Sequence, residues 1–192
     1  MAEQLSLISK ELAAIVELID KAQQRDLSLG RTQVMKLLYL VQSLKQVPLS
    51  YRFTLYTYGP FDSELLEDLG YAESLGAITS RVEFHAMGYQ YFFSLGPAAA
   101  RVRQSAQQFL EQNAAAFDWV VSEFGRRTAS ELETITILVY VDRGAAERHE
   151  ELSQAEIVKK VLEIKPHVSR PKTEAEAQAL RQKGLLAALG AA

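Results

Sequence analysis

The stretch "YTYGPFDSELLEDLGYAESLGAI", residues 56–78, decides the fold because it places a strand, a turn, a helix and a second strand in immediate succession. Gly59 and Pro60 predict the turn. Asp62 is well placed to cap a helix over residues 63–75, because its carboxylate can accept hydrogen bonds from the first amides of that helix. The helix and its cap carry five acidic residues and no basic one, so any function of this segment depends on what those acids face.

Patterns on either side of this stretch extend the order of elements. Apolar residues at three-and-four spacing predict an amphipathic helix over residues 4–24, and residues 32–44 are apolar on most sides, which is typical of a central helix. The aromatic alternation of residues 51–58 predicts a strand. Two alternating runs within residues 78–95, joined by "HAMG", predict a β-hairpin. Helix, helix, strand, helix and hairpin form a winged-helix-like order with the first strand displaced by one element.

The rest of the chain has helical patterns. Residues 97–124 hold one long helix or two, and two capping boxes predict helices at about residues 154–164 and 174–188. The β-branched run "LETITILVYV", residues 132–141, suits a helix and a strand equally well, so both interpretations stay open. The predicted fold class is therefore α+β and mainly helical, with a winged-helix-like core of helices, a short strand and a β-hairpin, followed by additional C-terminal helices.

Length and composition fit this architecture. The 192 residues, of which 48% are apolar, are enough to bury a substantial core. We place a winged-helix-like domain at residues 1–96 and a helical part packed on it at residues 97–192. One continuous domain is the alternative.

Composition also excludes several kinds of chemistry. The chain has no cysteine, which rules out disulfides, thiol nucleophiles and cysteine-ligated metals. The first 20 residues contain acids throughout, unlike a signal peptide, and no apolar run approaches the roughly 18 residues of a membrane span. A net charge of −3 gives no overall basic character for nucleic-acid binding. We expect a cytoplasmic protein without membrane association.

Three short motifs carry a resemblance to a known family. They are "KLLYL" at residues 36–40, "YGPF" at residues 58–61 and "LGAI" at residues 75–78. Over residues 31–95 the chain resembles the Panacea antitoxin domain family and its uncharacterised bacterial and archaeal relatives. The resemblance implies a cytoplasmic, protein-binding domain of antitoxin type, which neutralises a partner such as a toxin by contact or by delivering it to a protease system. It implies no catalytic residue and no cofactor.

The acidic helix provides the main candidate site. Its apolar stripe is expected to face the core and to leave Glu64, Glu67, Asp68 and Tyr71 together on the outer face. The predicted partner-binding surface adds two aromatic residues of the preceding strand and comprises Tyr56, Tyr58, Glu64, Glu67, Asp68 and Tyr71. These acids either solvate a surface and complement the helix dipole, or dock a basic partner with Tyr71 as an aromatic anchor. Phosphate would be repelled by this face.

Nucleic-acid binding is the alternative function, and it belongs to the other end of the chain. A transcriptional regulator would use the basic C-terminal helices, with Lys159, Lys160, Arg170 and Lys172 as candidate contacts. The second of these helices begins with two acids where base-reading residues would lie. We therefore expect weak, sequence-independent and salt-sensitive binding at most.

Enzymatic activity is the second alternative and has the least support. The three histidines are scattered, and no Gly-rich phosphate loop or G-x-S-x-G motif occurs. The sequence thus predicts no catalytic residue, no cofactor and no metal. An enzyme would need a pocket around Tyr39, Arg52 and Tyr58, the clustered polar candidates of the central helix and strand. The oligomeric state stays open, with a dimer as one outcome.

Overall fold

The structure is a computed structural model that describes residues 10–85 and 88–188. It is α+β and mainly helical, which confirms the predicted fold class. The described helices are α1 (Lys10–Gln23), α2 (Arg31–Lys45), α3 (Ser63–Ser74), α4 (Ala99–Ser105), α5 (Gln107–Phe124), α6 (Ala129–Glu147), α7 (Gln154–Ile164) and α8 (Arg170–Gln182). The described strands are β1 (Thr54–Tyr56), β2 (Gly59–Phe61), β3 (Ile78–His85) and β4 (Gly88–Leu95). They form two antiparallel pairs, β1–β2 and β3–β4.

The chain forms two compact units that are interleaved in sequence. The first unit comprises the described residues up to Phe53 together with Asp62–Thr128. The second comprises Thr54–Phe61 and the described residues from Ala129 onward. The two units meet in sequence after Phe53, Phe61 and Thr128. The domain boundary at residue 96 stays a prediction.

Helix α1 is the centre of the first unit. It packs against α2, α3, α4, α5 and β4. Because neighbours surround it, nearly every residue of α1 is buried, including the carboxylate residue Glu17, which is 2% exposed. Helix α2 is buried continuously from Val34 to Val41, as expected for a core helix. Residues 4–9 of the predicted first helix lie outside the described part of the chain.

The β3–β4 hairpin continues the first unit beyond its core. The register pairs Ile78 with Leu95 at one end and Phe84 with Tyr89 near the other. At the inner end Ile78 is fully buried, whereas Phe84 is 83% exposed and Tyr89 is 63% exposed. Each strand has eight residues and so spans about 26 Å, which exceeds the roughly 10 Å width of a helix packed against it. The outer part of the hairpin therefore extends past the helices.

Helix α6 is the centre of the second unit, and it decides the open question at residues 132–141. This segment is helical because α6 packs against β2, α7 and α8, so a continuous apolar run can be buried on most sides. The fully buried Asp142 accepts backbone hydrogen bonds from Ala187 and Ala188, both at 2.8 Å. Arg143 donates to this carboxylate and to the carbonyl of Leu185. These contacts fix residues 185–188 against α6.

The single strand predicted over residues 51–58 is wrong. Only Thr54–Tyr56 is a strand, and the chain then turns at residues 57–58 and returns as β2. Gly59, which follows the turn, has φ +86°, a conformation that glycine adopts without steric cost. The predicted turn at Gly59 and Pro60 thus lies two residues too late. Both residues belong to β2, in which Pro60 pairs with Leu55.

The last predicted helix is displaced. It spans Arg170–Gln182 rather than residues 174–188. Pro171 lies in its first turn, where a missing N–H costs nothing, so the helix begins before Thr173, the residue of the second capping box that was expected to cap it. Its first turn contains no acid, so the expectation that this helix begins with two acids is wrong. The Thr173 hydroxyl donates to the carbonyl of Ser169 at 3.0 Å and is buried. Gly184 has φ +65° and follows the end of the helix.

Candidate functional site

The acidic helix α3 is held in place by its N-terminal cap. The buried Asp62 carboxylate accepts hydrogen bonds from the backbone amides of Glu64 at 2.7 Å and Leu65 at 3.4 Å. Its second oxygen accepts from the amide of Arg52, which ties the incoming chain to the same residue. The predicted cap and helix start are confirmed. A helix fixed at this end presents its outer face in a defined direction.

Three of the predicted site residues lie on that outer face. Glu64 and Glu67 are exposed, and the Tyr71 side chain is 48% exposed. Their spacing of three and then four positions places them in one row along the helix. Neither Glu64 nor Glu67 forms an ion pair with any residue in the described part of the chain. This row, Glu64, Glu67 and Tyr71, is called the acidic face below.

Asp68 differs from its neighbours. It is half-buried, and its Oδ2 accepts a hydrogen bond from the hydroxyl of the buried Tyr51 at 2.9 Å. Partial burial raises the pKa of Asp68, and the carboxylates of Glu11, Glu64 and Asp62 raise it further, whereas the Tyr51 hydrogen bond lowers it. Asp68 is therefore a hydrogen-bond partner of the buried Tyr51 rather than a free surface acid. Its raised pKa reflects its partial burial and the negative charge of the carboxylates around it.

The two remaining predicted residues lie in the second unit, on the β1–β2 hairpin. Tyr56 and Tyr58 are each 67% exposed. The ammonium of Lys165 lies 5.6 Å from the centroid of the Tyr58 ring. Lys165 is itself buried and 3.0 Å from a carboxylate oxygen of Glu133. One side of Tyr58 is thus packed on a paired cation, while most of its ring area remains exposed.

The candidate nucleic-acid contacts lie on α7 and α8. Lys159 and Arg170 each have an acid one helical turn later, with N–O distances of 3.9 Å to Glu163 and 3.5 Å to Glu174. Lys160 is half-buried, whereas Lys172 is exposed. These ion pairs are weak at the surface, but they reduce the local positive charge that phosphate would meet.

A groove in the first unit contains a network of charged groups. The groove has a volume of about 330 Å³ and is bordered by α1, α4 and α5. The buried Glu17 lies 2.8 Å from a guanidinium nitrogen of Arg103 and 3.7 Å from the ammonium of Lys21. Arg103 also bonds Asp20 at 3.0 Å. The network contains two acids and two bases, so its net charge is zero. Its ion pairs link α1 to α4.

The enzyme alternative gains no support from its named residues. Tyr39 is buried in the first unit, with its ring packed edge-on against Phe53 at a centroid distance of 5.1 Å. Tyr58 belongs to the second unit and is exposed. No cluster of three or more potential metal-ligating His, Asp or Glu residues occurs within residues 10–85 and 88–188.

The exposed aromatic end of the β3–β4 hairpin was missed in the sequence. Phe84 and Tyr89 are opposite each other, with ring centroids 6.5 Å apart, and Tyr91 continues the same row. The guanidinium of Arg31 lies 4.2 Å from the Tyr91 ring centroid. The alternation within residues 78–95 places these aromatic residues on one face of the hairpin, but it carries no information on what covers that face. The available signal was strand length, since two eight-residue strands are longer than one helix can cover.

No protein-family model matches the chain, and no curated protein matches it in sequence. Among the described residues, none of the helices has the length and apolar character needed to cross a membrane.

Proposed function

We propose that the protein is a cytoplasmic protein-binding module of antitoxin type, which holds a basic partner protein on the acidic face of α3. The observation that carries this proposal is the pair of exposed carboxylates, Glu64 and Glu67, beside a half-exposed tyrosine and without ion-pair partners among the described residues. The resemblance to the Panacea antitoxin domain supplies the class of function.

Physical chemistry favours a basic protein as the partner. Unpaired carboxylates raise the local concentration of cationic surfaces and accelerate their association. Tyr71 adds apolar area with a polar tip, the combination found at interface hot spots. Phosphate, by contrast, would be repelled by the exposed carboxylates of Glu64 and Glu67.

The test is a charge reversal that spares the core. Tagged protein in its native host should co-purify a stoichiometric partner, and the triple variant Glu64→Lys, Glu67→Lys, Tyr71→Ala should release it. Asp68 is left unchanged because it is bonded to Tyr51. The melting temperature should fall by no more than a few degrees, since all three side chains point outward and surface substitutions cost about 0.5 kcal/mol or less each.

A matched control distinguishes the loss of the acidic face from the change in the net charge of the protein. Glu147 and Glu151 are exposed acids outside α3, so Glu147→Lys with Glu151→Lys makes the same charge change elsewhere. This control should keep the partner bound. Retention of the partner by the triple variant, or its equal loss from the control, would reject the acidic face.

The antitoxin class has its own test. The co-purified partner should arrest growth when expressed alone in a surrogate host, and co-expression of the wild-type protein should restore growth. Co-expression of the triple variant should not. A partner that is harmless when expressed alone would reject the antitoxin class while leaving the binding surface intact.

A further inference from the structure

Strand β3 has an outer edge whose backbone groups point away from the hairpin. The amide of Phe93 donates to the carbonyl of Leu29 at 2.9 Å, so Phe93 directs its backbone groups away from β3. The register pairs Phe93 with Ser80, and in an antiparallel ladder both members of such a pair point outward. Ser80, Val82 and Phe84 therefore present their N–H and C=O groups on the outer edge of β3.

The two edges of the hairpin differ in how they are covered. On the β4 side, Leu29 bonds Phe93, and the Gln23 side chain accepts from the amide of Leu95 at 2.9 Å. On the β3 side, the Ser80 hydroxyl donates to the Glu73 carboxylate of α3, and the outward backbone groups of Val82 and Phe84 have no hydrogen-bond partner within the described residues. Proteins rarely leave an edge strand unpaired beside exposed apolar side chains, because such an edge readily pairs with another chain.

The charges on β3 identify the complementary strand. Val82 lies between Arg81 and Glu83. If two β3 strands pair antiparallel about a twofold axis at Val82, Arg81 of each copy lies directly opposite Glu83 of the other. Registers centred one residue earlier or later would oppose Arg81 to Arg81 or Glu83 to Glu83, which is destabilising. The strand is therefore complementary to itself in this register.

We propose that β3 pairs with β3 of a second copy of this chain, which joins two hairpins into a four-stranded antiparallel sheet. Ser80, Val82 and Phe84 then exchange backbone hydrogen bonds with Phe84, Val82 and Ser80 of the second copy. Arg81 exchanges its ion pair with Glu83 of its own strand for one across the axis. Val82, which is 38% exposed, and Phe84, which is 83% exposed, gain neighbours on the aromatic side of the enlarged sheet.

The expected dimer is weak. A stable dimer usually buries about 800 Å² on each partner, and a five-residue strand edge with two apolar side chains buries less. In sedimentation velocity the protein should be monomeric at about 1 μM and largely dimeric at several hundred μM. A monomer throughout this range would overturn the proposal.

Proline at Val82 tests the strand pairing. Because the Val82 amide points away from β4, Val82→Pro leaves the β3–β4 ladder intact and removes the central donor of the proposed interface. The dimer should be lost, whereas Val82→Thr, which retains the amide and the branched side chain, should keep it. Unchanged dimerisation of the proline variant, with its fold verified by amide NMR spectra, would also overturn the proposal.

A charge exchange tests the register. Arg81→Glu and Glu83→Arg should each weaken self-association about tenfold or more, because each places like charges opposite one another in two places. An equimolar mixture of the two variants should form a heterodimer, because every opposed pair is then complementary. The control uses two single variants of α7, Lys159→Glu and Glu163→Lys. Each of them, and their mixture, should self-associate like the wild type. Failure of the Arg81 and Glu83 variants to associate on mixing would reject this register.

Discussion

At the residue scale, the pair of Tyr51 and Asp68 shows how one acid of α3 is used inside the fold. Tyr51 is 4% exposed, and burial followed by the nearby Asp68 carboxylate raises the pKa of its hydroxyl well above the ordinary value. The hydroxyl therefore stays protonated and donates to Asp68 at 2.9 Å. Asp68 in turn is ionised less readily than a solvated carboxyl, because it is half-buried and close to other acids.

This environment predicts a pH-dependent effect of Asp68→Asn. The pKa of Asp68 is raised in the folded state, so its protonated form stabilises the fold at low pH and this contribution disappears as pH rises through the folded pKa. Asparagine keeps an acceptor for Tyr51 and carries no charge at any pH. The variant should match the wild type in melting temperature near pH 3 and exceed it by a few degrees at pH 7.

The control for this prediction is Glu67→Gln, which neutralises an exposed acid one residue earlier on the same helix. Its melting temperature should follow that of the wild type at both pH values. A wild type that gains stability relative to Asp68→Asn between pH 3 and pH 7 would contradict the sign of the effect.

At the element scale, two helices with similar sequence signals depend on their caps to different degrees. Asp62 caps α3 from a buried position and also accepts from the amide of Arg52. Ser153 caps α7 through a capping box with Glu156, in which both residues are exposed. Water can replace the exposed cap, but it reaches the buried one poorly.

We therefore expect Asp62→Ala to cost about 2 kcal/mol of unfolding free energy and Ser153→Ala about 1 kcal/mol or less. Urea denaturation gives the two values. Hydrogen exchange shows where each variant is destabilised. The first amides of α3 should exchange faster in Asp62→Ala, and the first amides of α7 should exchange faster in Ser153→Ala. A larger cost for Ser153→Ala would contradict the argument from burial.

At the scale of the whole molecule, the interleaving of the two units is the main organising feature. The β1–β2 hairpin, residues 54–61, lies between α2 and α3 in sequence, yet it packs on α6 within the second unit. The chain therefore enters the second unit, returns to the first at Asp62, and enters the second again at Ala129. Neither unit is built from one continuous segment.

Charge distribution over the molecule predicts that DNA binding is weak. Two of the candidate cations, Lys159 and Arg170, have acids one turn away, and the net charge is −3. In anisotropy measurements with labelled duplex, we expect a Kd no tighter than about 10⁻⁵ M at physiological salt, with a log–log salt slope of about −0.9 for each phosphate contact.

The control for DNA binding removes equal charge elsewhere. Any binding should weaken more in Lys159→Ala with Lys172→Ala than in Arg101→Ala with Arg126→Ala, a pair of exposed arginines of the first unit. Tight, sequence-selective binding that survives moderate salt would instead favour a transcriptional regulator over the protein-binding module.

The sequence by itself determined the features that depend on neighbouring residues. The Asp62 cap, the bounds of α3 and the β3–β4 hairpin followed from contacts within a few positions, such as a side chain bonding an amide two or three residues later. Tertiary structure alone decided which faces are covered. The helical state of residues 132–141, the Tyr51–Asp68 bond and the exposure of Tyr56, Tyr58 and Phe84 all depend on segments distant in sequence. Local patterns specify an element and its two faces, but the residues that pack against each face are selected only when the whole chain folds.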